Sequence, residues 1–299
     1  MKKAPVAVLL ACISVLVCSC NKFSIGDPTV AQRSIENPFQ VIEFHDDVNV
    51  QVMHCNTNHP AGFIQIKAGE NLIDNISATI QKTDETVGKD TLYKLVIQNN
   101  NSTNFLHSYD YAIEATVYYD SLYRLIFNSN ANIQTDTLKG FNFLTHFSQD
   151  TLGWDSLAPN LLIEIEGGSG DINVSTSCYR VTTKYYHGTS NITTKGQATI
   201  ASTYADYDCH GIIDNRNLES HIHYVNSYGT NTIYAKAFLL MKISNFNIGR
   251  VYYVDYKKST WDFIPADDEH PWGHYEWVTH QCPISKDLHG DNIFPWKDQ

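Results

Sequence analysis

The chain has 299 residues, is 42% hydrophobic and carries 18 tyrosines and 13 phenylalanines, which excludes a disordered stalk and allows a large buried core. Its formal net charge of −11 excludes a basic nucleic-acid-binding surface, so no nucleic-acid partner is expected.

Met1-Lys2-Lys3 is a short cationic start, and Ala4 to Val17 is apolar apart from Ser14. That is the length of a signal-peptide core and too short to span a bilayer. Val17-Cys18-Ser19-Cys20 follows, an apolar residue and a small one before a cysteine, which resembles the lipobox cut by lipoprotein signal peptidase. The expectation is removal of residues 1–19 and acylation of Cys20, whose thiol takes diacylglycerol as a thioether. Two or three acyl chains anchor stably where one is marginal, so the expected partner is a membrane of the bacterial envelope, held through lipid. Ordinary secretory cleavage nearby is the alternative. Asn21 rather than Asp after the anchor favours an outer membrane.

Residues 20–37 are polar without apolar periodicity and read as a tether. Of seven cysteines, Cys12, Cys18 and Cys20 fall to export. Cys55, Cys178, Cys209 and Cys282 remain, and four cysteines allow three disulfide connectivities, of which none is assigned.

From Phe39 onward apolar alternation with β-branched and aromatic residues predicts strand after strand: Val41 to Phe44, Val48 to Val52, Phe63 to Lys67, Leu92 to Ile97 and Ile113 to Tyr119. Asn71 to Ile80 hints at one short helix. Ile133, Leu152, Ile172, Ile192, Ile213, Ile233 and Val251 then recur at a period of about twenty residues. Small or left-handed-tolerant residues precede most of them, as in Gly168 to Asp171, Gly188 to Asn191 and Gly229 to Thr232. A second apolar strand precedes each turn, for example Ile163 to Ile165 and Val181 to Thr183. Two strand families and one turn family predict stacked rungs sharing a continuous core. An antiparallel sandwich would need hairpins every 8–12 residues and no fixed register.

The run Ile163 to Val174, Ile-Glu-Ile-Glu-Gly-Gly-Ser-Gly-Asp-Ile-Asn-Val, with echoes at Gly188 and Gly229, resembles the bacterial family described as "putative auto-transporter adhesin, head GIN domain". Phe44 to Val52, Phe63 to Ile66, Asn71 to Ile73 and Leu92 to Ile97 resemble its N-terminal part. The resemblance covers roughly residues 40 to 255. It implies an all-β, right-handed parallel β-helix or solenoid, often on lipoproteins, and implies no catalytic residue. This chain keeps one full Gly-Ser-Gly, at Gly168 to Gly170, and adds a tail. The expected organisation is a signal peptide at 1–19, the tether at 20–37, the solenoid with its N-terminal strand region at 38–255, and a capping tail at 256–299.

Stacking sets Tyr186 beside Tyr207 and His187 beside Asp208. That constellation reads either as a ligand-binding platform with a hydrogen-bonding edge or as a tyrosine ladder and surface ion pair bracing adjacent rungs. Trp272 and Trp277 read either as sugar-stacking faces or as a plug for the open end of the stack. His270 and His274 have helical zinc-ligand spacing, but Pro271 opposes a helix there, so no metal site is assigned. Phosphate-loop, nucleophile-elbow and Cys-x-x-Cys motifs are absent. The expectation is therefore no enzyme and no cofactor: a membrane-anchored protein that adheres or binds a glycan or envelope protein. A purely structural role is the alternative, and a carbohydrate-active β-helix enzyme comes behind both.

Overall fold

A computed structural model describes residues 25–87, 90–101, 113–141, 160–255, 257–264, 274–281 and 285–296. Cys20, Trp272 and Cys282, and so the expectations placed on them, lie outside the described residues.

The elements in chain order are β1 (Pro28–Ser34), β2 (Val41–Asp46), β3 (Val48–His54), β4 (Phe63–Gly69), α1 (Glu70–Ile73), β5 (Ile76–Val87), β6 (Asp90–Asn99), β7 (Ile113–Tyr119), β8 (Arg124–Ser129) and β9 (Ile133–Leu138). They continue with β10 (Asn160–Gly167), β11 (Asp171–Gly188), β12 (Asn191–Cys209), β13 (Ile212–Ser227), β14 (Thr232–Ala237), β15 (Leu240–Asn245), β16 (Arg250–Asp255), β17 (Lys257–Ile264), β18 (His274–Gln281), β19 (Ser285–Gly290) and β20 (Ile293–Pro295). The molecule is all-β: among the described residues one curled sheet holds eighteen strands, and β17 and β18 form a separate antiparallel hairpin.

Alternation explains which face each strand buries. In β3, Val48, Val50 and Val52 are buried while Gln51 is exposed, since successive side chains point to opposite faces. The sequence predicts a helix over 71–80, yet only Glu70–Ile73 is helical. Beyond Asn75 the chain turns into β5, where Ile76 to Ile80 pair antiparallel with Asn99 to Leu95 of β6. A backbone that finds a ladder partner gains hydrogen bonds that a short isolated helix cannot match. Similarly, β1 forms within the segment read as a tether by pairing antiparallel with β4. It has no buried residue, and its Val30 is 52% exposed, so it left no hydrophobic signal.

The two strand families stack in parallel register. In the first, Ile42, Leu125, Ile163, Thr183, Thr203, Val225, Ile243 and Leu288 stand in one row. In the second, Val50, Ile133, Ile172, Ile192, Ile213, Ile233, Val251 and Ile293 do the same. The period of about twenty is therefore the spacing of parallel neighbours from Ile172 to Val251. One position differs: Ile133 pairs directly with Ile172. Leu152, expected to open a rung between them, lies outside the described residues. At the C-terminus β19 and β20 extend the stack by one rung, against β15 and β16. At the N-terminus β6 and β7 join β2 and β3 in parallel, while β4 lies antiparallel on β7.

The core fills the space between the families. Its N-terminal part is apolar, with Phe44 stacked on Phe127 at 5.2 Å and Ile42, Phe44, Phe127 and Ile163 each 0–1% exposed. Each such side chain contributes roughly 1.5–3 kcal/mol on burial. Farther along, inward positions become polar: Thr183, Thr203, Asn215, His223 and Ser227 are all buried. Hydrogen bonds link three of them, as buried polar groups favour: Asn215 Nδ2 donates to Thr203 Oγ1 at 3.2 Å, and Thr203 lies 3.0 Å from His223 Nε2. Cys55, Cys178 and Cys209 all carry free thiols.

Candidate functional site

The turns that join the first strand family to the second form one corner of the stack. Gly168 and Gly188 adopt φ of +102° and +112°, conformations that L side chains avoid. A Cβ on Gly168 would meet Ser129 O at 1.9 Å, so only glycine lets successive turns nest this closely. Backbone hydrogen bonds run turn to turn, Thr189 N to Gly168 O at 2.9 Å and His210 N to Gly188 O at 3.0 Å.

His187 and Asp208 stand opposite each other on β11 and β12, as the stacking predicts. Nδ1 lies 3.5 Å from Oδ2, with the side chains 61% and 76% exposed. Such an exposed pair stabilises little, about 0–1 kcal/mol. Tyr186 and Tyr207 are not face to face. The register shifts between Tyr185 and His187, so that Asp206 and Tyr207 together oppose the single Tyr186: a β-bulge. The bulge swings Tyr207 outward, 64% exposed, onto the ring of Tyr228 at 5.5 Å.

Tyr186 instead begins a longer aromatic ridge. Ring centroids are 6.4 Å apart for Tyr186 and Tyr204, 5.8 Å for Tyr204 and Tyr228, and 5.3 Å for Tyr228 and Phe246, the last pair stacked. Burial within the row, followed by the nearby Asp206 carboxylate, raises the Tyr204 phenol above its ordinary range, which keeps it a neutral hydrogen-bond donor. Phe246 and Ile248 are 60% and 74% exposed. They open onto a surface hollow of about 440 Å³ edged by Asn245, Asn247, Asp291 and Asn292. At the other end the Tyr186 hydroxyl lies 3.4 Å from Oε1 of Glu164, which also pairs with Arg124 and Lys184.

A second aromatic group was not anticipated. Tyr234 stacks on Tyr252 at 5.2 Å, Trp296 meets both edge-on, and the Arg216 guanidinium lies 4.4 Å from the Tyr234 ring centre. Asp214 grips Arg216 by two contacts of 2.9 and 2.5 Å. The fork's hydrogen bonds and charge outweigh the effect of burial and hold the Asp214 carboxyl below its usual range. The available signal was equal offset: Tyr234 and Tyr252 each follow a reference residue of the repeat.

In the tail, His274 lies in a strand rather than a helix, which removes the helical His270/His274 spacing. Trp277 stands in register opposite Trp261 on the separate hairpin.

The fold is a parallel β-stack with aromatic side chains ordered along one corner. The chain belongs to the family described as "Putative auto-transporter adhesin, head GIN domain", whose model matches residues 38–255. Its structure is similar to that of a "putative adhesin" from Bacteroides fragilis NCTC 9343, at 15% identity and a TM-score of 0.59, covering 90% of this chain and 96% of that one. It is also similar to a "Putative lipid binding protein" from Parabacteroides distasonis ATCC 8503, at 14% identity and a TM-score of 0.52, covering 91% and 98%. At these identities the likeness is one of fold. No curated protein matches the sequence.

Proposed function

We propose that the protein is a non-enzymatic, lipid-anchored envelope adhesin that holds a glycan along the ridge from Tyr186 to Phe246. The observation that carries this reading is the run of aromatic rings, exposed at Tyr207 and Phe246 and ending in a hollow edged by amides and a carboxylate. Contiguous exposed apolar surface on a folded domain marks a binding site, and flat rings beside a few fixed polar groups suit a sugar's apolar face and hydroxyls. The family's description as an adhesin agrees with it. His187 and Asp208 form the polar edge of this ridge rather than a general acid and base, since both are exposed and their pair lies at the surface. We read the parallel stack as a right-handed β-helix, following the strong preference of parallel crossovers for that hand.

The test is an array of glycans and envelope components probed with the full chain in detergent, beside a Tyr207→Ala/Phe246→Ala variant and a His187→Ala/Asp208→Ala variant. Saturable glycan binding that falls at least tenfold in the aromatic variant supports the reading. Glycan binding that survives it moves the site off the ridge and sinks the reading, while no glycan binding at all sinks it and leaves the structural role ahead.

A further inference from the structure

We propose that His54, Cys55 and Asp120, at one end of the second strand family, form a binding site for a divalent cation of borderline softness, with zinc the best fit. The site lies apart from the aromatic ridge and stands whether or not the ridge binds a glycan.

One ladder builds it. β3 and β7 run parallel with His54 opposite Tyr119, so where both strands end, Cys55 and Asp120 continue side by side. The Cys55 N–H donates to Tyr119 O at 2.7 Å and locks that alignment. As a result Cys55 Sγ lies 3.9 Å from His54 Nδ1 and 3.9 Å from Asp120 Oδ1, and one ligand atom from each residue falls within 4.8 Å of the other two. Zinc binds sulfur at about 2.3 Å and nitrogen or oxygen at about 2.0–2.2 Å in tetrahedral geometry, which sets ligand atoms roughly 3.3–3.6 Å apart. The contraction needed at the sulfur is therefore about 0.5 Å, within reach of small side-chain rotations.

The backbone beneath the imidazole is fixed. His54 N–H donates to Asp136 Oδ2 at 2.6 Å, Asp136 also accepts from the Tyr119 hydroxyl at 3.3 Å, and the Tyr119 ring meets the His54 ring edge-on at 5.4 Å. His54 Nδ1 now faces the Cys55 carbonyl at 3.0 Å, a contact that only an Nδ1–H can make. Binding a cation at Nδ1 moves that proton to Nε2. One thiolate, one imidazole and one carboxylate select zinc over magnesium or calcium, which take oxygen ligands. Three protein ligands leave the fourth coordination position to water.

The experiment is a cobalt(II) titration of the full chain with thiols kept reduced, read as thiolate-to-cobalt charge-transfer absorption together with the visible bands of four-coordinate cobalt. Circular dichroism checks that each variant is folded. One cobalt per chain, displaced by zinc, is expected. The charge-transfer band should vanish in Cys55→Ser and persist in Cys178→Ser. His54→Ala and Asp120→Asn should weaken binding by about tenfold or more, as loss of ligand-shell partners does. Absence of the band in the parent chain, or its persistence in Cys55→Ser, overturns the proposal.

Discussion

His223 shows how much a single inward side chain decides. It is 0% exposed, its Nδ1 faces the Lys236 carbonyl at 3.2 Å, and its Nε2 faces the Thr203 hydroxyl at 3.0 Å. A carbonyl can only accept, so Nδ1 carries the proton and Nε2 accepts from Thr203. Burial, opposed only in part by the Lys236 carbonyl, lowers its pKa from 6.5 to about 4. The native state thus binds the proton less readily than the unfolded chain, and this contribution is lost as pH falls from 6.5 towards 4. We expect the stability difference between the parent chain and His223→Gln to shrink over that window by up to roughly 3 kcal/mol, as measured by denaturant unfolding at pH 7 and pH 4.5. A difference independent of pH would refute it. Other residue-level facts divide by whether a partner was visible in sequence. His187 and Asp208 were legible because the twenty-residue period names their neighbour. His54 and Cys55 were not, because Asp120 reaches them through pairing of β3 with β7, outside the repeat.

At the scale of elements, the turn family is what keeps the rungs close. Gly168→Ala forces a side chain into a φ of +102° and against the Ser129 carbonyl at 1.9 Å, and should cost about 1–3 kcal/mol, read as a lower thermal unfolding midpoint. An unchanged midpoint would show that the turn opens freely. The Gly-Ser-Gly signature made this turn legible. The bulge at Asp206 and Tyr207 was legible only as the one spacing of 21, from Ile192 to Ile213, in a series running from 18 to 21, and its consequence was not. One extra residue sends Tyr207 to Tyr228 instead of Tyr186, which turns an expected pair into part of a longer ridge. β5 shows the opposite case: local sequence suggested a helix through Ile80, and pairing with β6 overrode it.

For the whole molecule, our proposed attachment rests on Cys20. Cells fed labelled palmitate should label the parent chain and not Cys20→Ala, and the variant should leave the membrane fraction. Labelling that survives the substitution would remove the anchor. The anchored adhesin we propose would need length rather than a cleft, and the stack supplies it. Among the described residues each family has nine parallel strands, which at about 4.8 Å spacing span roughly 38 Å, with the aromatic corner along one edge.

What the sequence by itself determined is the set of interactions that depend on period. Strand content, the stacking register from Ile172 to Val251, the His187–Asp208 neighbourhood and the family follow from residues recurring at one interval, because parallel stacking places equal offsets side by side. Tertiary structure alone decided everything that departs from that interval: the direct pairing of Ile133 with Ile172, β1 on β4, the final rung of β19 and β20, the ridge redirected by a bulge, and the meeting of Cys55 with Asp120. Those contacts join residues of unrelated spacing, and only the pairing of strands in the folded sheet brings them together.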